Sequence, residues 1–131
     1  MQTEREKTTT ATADDRAHRE TTEQPVAEIA RFLQEMFSQR VTAHIAKVED
    51  SKQVGRWARA QNAPRFDSEC RLRTAYQVFT YIATCENDHI ARAWMMGMNP
   101  QLDDDSPIQA IADERFKEVM AAARSFRRGD L

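Results

Sequence analysis

The chain has 131 residues, 40% of them apolar and 31% charged, with a formal net charge of −2 and only three glycines and four prolines. That is one domain of ordinary size or two very small ones, and so little turn punctuation predicts a helical rather than an all-β fold. No apolar run is long enough to span a bilayer and Met1–Glu23 lacks the apolar centre of a secretory signal, so a cytoplasmic protein without a membrane partner is expected.

Met1–Gln24 holds seven threonines and ten charges, with no large apolar residue after Met1. Such a segment buries too little surface to offset its ordering entropy, and it reads as a disordered arm. Gln24-Pro25 then marks a helix start, followed at helical spacing by Val26, Ile29, Ala30, Leu33, Met36 and Phe37, with Phe32 beside the stripe. A second helix is expected from about Gln39 to Val48, facing Val41, Ile45 and Val48 inward. Asp50 and Gln53 form an Asp-x-x-Gln pattern, an N-cap signature that starts a third helix near Ser51. That helix should end before Pro64, because the residue preceding a proline is pushed out of the α region.

Leu72, Ala75, Tyr76, Phe79, Ile82 and Ala83 mark a fourth, amphipathic helix, broken at Glu86-Asn87-Asp88. A fifth carries Ile90, Trp94 and Met95 to a turn at Asn99-Pro100. Ser106-Pro107-Ile108-Gln109 caps a short helix, and Phe116, Val119, Met120, Ala123 and Phe126 mark the last.

The small net charge conceals a division along the chain. Arg40–Arg73 holds eight basic and four acidic residues, Thr74–Cys85 holds no charge, and Glu86–Glu114 holds seven acids against Arg92 alone. The end from Arg115 is basic again. A basic block beside an acidic one fits two surfaces with different partners, or solvated faces of opposite sign. On the third helix, at 100° per residue, Val54, Trp57, Ala58 and Gln61 share one face and Lys52, Arg56 and Arg59 the opposite one. Burying Val54 and Trp57 would turn a row of cations outward, with Ser51 and Gln53 near the N-terminus and Arg65 just beyond. This is the layout of a helix-turn-helix reader of double-stranded DNA, and also of an ordinary basic amphipathic helix.

Nothing reads as an active site. His18 lies in the arm, His44 and His89 sit singly on helices, and Cys70 and Cys85 lack metal-site spacing and read as reduced residues. No catalytic residue, metal or cofactor is expected, and the chain should not be an enzyme.

Val54-x-x-Trp57 followed by Pro64 resembles the V-x-x-W-x-x-G-x-x-x-P pattern of Xre-like helix-turn-helix proteins. "WMMGMNPQLDDDSPIQAI" followed by "RFKEVMAAARSF" resembles the C-terminal toxin-binding region of the Xre/MbcA/ParS antitoxins, on Trp94, Asn99, Pro100, Leu102, Pro107, Ile111, Glu118 and Val119. Together the two patterns cover most of the chain from Val26 to Phe126. Ala60 stands where the first pattern favours Gly, Val48-Glu49-Asp50 where a turn Gly is usual, and Asp103-Asp104-Asp105 where a Gly-rich link is usual.

The resemblance implies an all-α domain with a helix-turn-helix over residues 25–73 and a helical partner-binding region over 74–131. It also implies a homodimer that represses its operon at the promoter and neutralises a cognate RES-type toxin by covering that toxin's NAD-consuming site. Ser51, Lys52, Gln53, Arg56, Arg59 and Arg65 would meet DNA. Trp94, Met98, Asn99, Pro100, Leu102, Asp103, Asp104, Asp105 and Pro107 would form the toxin side, although Trp94 and its methionine neighbours also fit a plain core. The alternative reading is a free-standing bacterial or phage helix-turn-helix regulator with no toxin.

Overall fold

The computed structural model describes residues 24–129, so the arm read over residues 1–24 lies outside the described residues apart from Gln24. In chain order the helices are α1 (Val26–Phe37), α2 (Gln39–Ala46), α3 (Lys52–Ala58), α4 (Phe66–Cys85), α5 (Asp88–Met96), α6 (Pro107–Ala112) and α7 (Phe116–Arg128). A single 3-10 turn, Pro100–Leu102, stands between α5 and α6. No strand occurs among the described residues; the fold is all-α, as composition predicts.

The centre is α4, which packs against α1, α2, α5, α6 and α7. Its twenty residues contain no Gly or Pro, and Asp67 and Glu69 in the first turn complement the positive helix end. Its buried arc is wider than the amphipathic stripe in the sequence. Ser68, Arg71, Val78 and Tyr81 are buried along with Leu72, Ala75, Tyr76, Phe79 and Ile82. Phe32 of α1 meets Tyr76 and Phe79 edge-on, both at 5.2 Å between ring centroids, and Phe37 meets Phe79 at 5.9 Å. These T-shaped pairs lock α1 onto α4.

The polar groups on the buried arc close the ends of other helices. Ser68 Oγ donates to the Ala46 carbonyl of α2 at 2.7 Å. Arg71 Nε donates to the Ala112 carbonyl of α6 at 3.0 Å, while its other nitrogens reach Glu114 at 2.6 Å and Asp67 at 3.6 Å. Carbonyls that a helix C-terminus leaves open are thereby satisfied inside the protein. The division read between residues 73 and 74 falls inside α4, so the two regions share one helix and one core.

Two helices stop earlier than their sequence predicts, for the same reason. Lys47 adopts the left-handed conformation (φ 64°), with Val48 N–H on the Ala43 carbonyl and Lys47 N–H on the His44 carbonyl. α2 therefore ends at Ala46 rather than Val48. Ala60 (φ 60°) repeats the pattern, with Gln61 N–H on the Arg56 carbonyl and Ala60 N–H on the Trp57 carbonyl, and α3 ends at Ala58. Glu114 (φ 64°) does so after α6, and only α7 uses a glycine, Gly129. These are Schellman ends built on residues with a Cβ, which costs each of them backbone energy that glycine avoids.

The start of α3 follows the cap expected at Asp50. Ser51 is already in the right-handed helical region, and the Asp50 carboxylate accepts from Lys52 N–H at 3.0 Å, two residues on. Asp50 is therefore the N-cap, its carbonyl also accepting from Gln53 N–H at 3.0 Å.

Two consequences are measurable by urea unfolding. Ala60→Gly should stabilise the protein by about 0.5–1 kcal/mol by relieving the left-handed alanine. Trp57, only 4% exposed in the core, should cost roughly 3–5 kcal/mol when cut to alanine, through the cavity left behind.

Candidate nucleic-acid and partner surfaces

α3 buries Val54, Gly55, Trp57 and Ala58, so more than half of this seven-residue helix is spent on packing, chiefly against α1. At Gly55 a Cβ would sit 2.7 Å from Gln39 Nε2, the far end of a flexible side chain at the start of α2 that can move aside. The sequence reading did not single out this glycine. Its only signal was an isolated Gly inside a helical pattern, which marks close approach.

With the apolar side turned in, Lys52 and Arg59 are exposed and Arg56 is half-exposed, as the helical wheel predicts. Ser51 and Gln53 are half-buried beside them, and Arg65 is exposed at the N-cap of α4.

Folding engages half of the basic block in ion pairs. Arg71 is buried by its partners, Arg73 pairs with Glu69 at 2.8 Å, Lys47 with Asp113 at 3.7 Å, and Arg56 with Asp50 at 3.9 Å. Arg40, Lys52, Arg59 and Arg65 form no ion pair within 4 Å among the described residues. Arg40 belongs to a different place: with Val41, His44, Met96, Ser106 and Ile108 it lines a groove of about 320 Å³ between α2, α5 and α6. The Asp50–Arg56 pair is solvent-exposed on both sides. Such pairs contribute on the order of 0–1 kcal/mol, so Arg56 can exchange Asp50 for a phosphate at little cost.

The second surface is the turn after α5. Asn99 organises it from inside: buried, it accepts from Gln101 N–H at 2.8 Å through its side chain, and from Leu102 and Asp104 N–H, both at 2.9 Å, through its carbonyl. Asp103 and Asp104 then take consecutive left-handed conformations (φ 58° and 69°), which Asp tolerates better than most residues. Arg115 clamps the acidic loop, reaching Asp103 at 3.1 Å, Asp105 at 3.5 Å and Glu118. The hydrogen bond to Glu118 and the charges of Glu118, Asp103 and Asp105 raise the Arg115 guanidinium above its ordinary range, so the clamp stays charged.

The candidate partner residues therefore divide. Leu102 and Pro107 are buried in the core, and Asn99 is buried in the turn. They shape the surface and do not form it, because apolar burial and backbone satisfaction claim them first. Asp103 and Asp105 are engaged by Arg115, and Asp104 is exposed. Met98 is 77% exposed, and Pro100 lies beside it at the surface. Trp94 is half-buried against Phe126, ring centroids 6.0 Å apart, and lines with Met98, Pro100 and Phe126 a groove of about 380 Å³. Trp94 is thus partly core and partly surface. Its indole Nε1 is buried with no hydrogen-bond partner among the described residues.

No cluster of His, Cys, Asp and Glu able to hold a metal occurs among the described residues, and no described helix is long and apolar enough to cross a membrane. No family model, curated protein or solved structure matches this chain.

Asn99→Ala removes a buried cap and leaves Gln101 N–H open. It should destabilise the protein by about 1–2 kcal/mol in urea unfolding and accelerate amide hydrogen exchange at Gln101.

Proposed function

We propose that this protein is a DNA-binding regulator and antitoxin of the Xre/MbcA/ParS kind. It represses its own operon through α3 and neutralises a RES-type toxin through the turn after α5. It acts by binding alone, as a cytoplasmic protein. The supporting observation is the pairing, on one core, of a short helix with outward cations and an exposed tryptophan–methionine turn, in the chain order that the resemblance implies.

On the DNA side, Lys52, Arg59 and Arg65 neutralise phosphates. Arg56, released from Asp50, and Gln53 read base edges in the major groove. The carboxylates of Glu49 and Asp50 at the entrance to α3 repel phosphate, which makes affinity depend on the cations around them.

On the toxin side, Met98 offers an adaptable apolar contact beside the groove lined by Trp94, Pro100 and Phe126.

The two sides are tested separately. Lys52→Ala with Arg56→Ala should weaken promoter binding in a gel shift while leaving the melting curve intact. A lost base-edge contact costs about 1–3 kcal/mol, and a lost phosphate contact flattens the salt dependence by about one unit of slope. Unchanged affinity in the double variant removes α3 from the interface.

Met98→Asp should weaken capture of the adjacent gene product, mainly through faster dissociation, and restore its toxicity on co-expression. Promoter binding by the free protein should persist. An adjacent gene product with no toxicity of its own would end the antitoxin reading.

A further inference from the structure

The groove between α2, α5 and α6 belongs to neither candidate surface. α2 spends one side on the core, where Thr42, Ala43, Ile45 and Ala46 are buried, and turns Arg40, Val41 and His44 away from it. Met96 at the end of α5, with Ser106 and Ile108 at the start of α6, completes a groove of about 320 Å³. Val41 is half-buried, Ile108 is 5% exposed and Met96 is 42% exposed. Each of the three helices thus contributes one apolar side chain to an open floor.

The polar groups around that floor suit an anion. Arg40 stands at its edge and forms no ion pair or side-chain hydrogen bond among the described residues. Ser106 Oγ accepts from Gln109 N–H at 3.0 Å, which leaves its own hydroxyl proton without an acceptor among the described residues. His44 is fixed at the rim by a relay. Gln109 Nε2 donates to Asp113 Oδ2 at 3.2 Å, which turns Gln109 Oε1 to His44 Nε2 at 2.8 Å. An amide oxygen only accepts, so Nε2 carries a proton and the ring stands as a fixed wall.

No acidic side chain lines the groove, and the nearest carboxylates are engaged elsewhere. Asp105, next to Ser106, pairs with Arg115 at 3.5 Å. Asp113 pairs with Lys47 at 3.7 Å besides holding Gln109. The guanidinium of Arg40 therefore meets no competing anion within the protein.

We infer that this groove binds a small organic carboxylate with a compact apolar body, a single ring or a short chain. The carboxylate takes the Arg40 guanidinium and the Ser106 hydroxyl, and the body lies on Val41, Met96 and Ile108. Each part of the site rejects a different competitor. An inorganic anion leaves the apolar floor wet, a cation is repelled by Arg40, and an uncharged analogue forgoes the charged hydrogen bond. The volume lies at the low end of the range for small-molecule sites, about 300–1,000 Å³. Arg40 and His44 are one helical turn apart, about 6 Å along α2, which is too short a trough for a run of peptide.

The test uses the full chain and two probes, phenylacetate and hexanoate, each compared with its own amide. Followed by amide NMR signals, either carboxylate should shift Val41, Met96 and Ile108 saturably, and each amide should bind about tenfold more weakly or worse. Acetate, which has the charge without the body, should leave these signals in place at concentrations where phenylacetate saturates them. Arg40→Gln should reduce the affinity of the acids to that of the amides, with an unchanged melting curve for the free protein, because Arg40 is exposed. Met96→Glu, also at the surface, should weaken both carboxylates at least as much, by repulsion. Several outcomes overturn the inference: no saturable binding of either carboxylate, shifts centred on another part of the protein, amides as tight as their acids, acetate as effective as phenylacetate, or undiminished affinity in Arg40→Gln. Neither α3 nor the Met98 turn lines the groove, so the result is independent of promoter binding and toxin capture.

Discussion

The burial of α4 is the constraint from which the other elements follow. A helix enclosed over most of its circumference must supply apolar contacts in several directions and must also place any polar residue on the buried arc against a partner. Ser68 and Arg71 meet that second demand by bonding the terminal carbonyls of α2 and α6. The same helix that forms the core thus fixes where two others end. α2 leads into α3 and α6 into α7, so the orientation of both candidate surfaces descends from these contacts.

Three of the described helix ends are set without glycine. With three glycines in the chain, one packed under Gln39 and another extended after α5, the left-handed positions closing α2, α3 and α6 fall to Lys47, Ala60 and Glu114. Each holds a conformation its side chain disfavours, and each persists because the helix before it is anchored by burial on one side. The turns flanking α3 therefore depend on tertiary packing more than on local preference. The result is a short, tightly seated α3 whose cations are presented rigidly.

The two candidate surfaces are built on different physics. α3 offers charge on a rigid frame, and folding sharpens it by withdrawing Arg71, Arg73 and Lys47 into ion pairs while leaving Lys52, Arg59 and Arg65 outward. The turn after α5 offers apolar surface, framed by an acidic loop that Arg115 bridges. Arg115 bridges Asp103 and Asp105, yet most of the acidic block, Glu86, Asp88, Asp103, Asp104, Asp113 and Glu114, stays at the surface.

Sequence by itself determined the helical class, the number and order of the helices among the described residues, and the inward side of most of them. Periodic apolar residues and the Ser106 and Pro107 start signals are local and need no knowledge of neighbours. It also determined the outward row Lys52, Arg56 and Arg59, because a helix that must bury Val54 and Trp57 has only one way to face. Tertiary structure alone decided where α2 and α3 stop, since no glycine marks Lys47 or Ala60. It alone decided that Arg71 is an interior residue and no part of a basic face, because its partners Ala112 and Glu114 lie some forty residues away. It alone separated Met98, at the surface, from Leu102 and Pro107, in the core. All three are apolar residues of one motif, and burial depends on what packs above them, which no local pattern records.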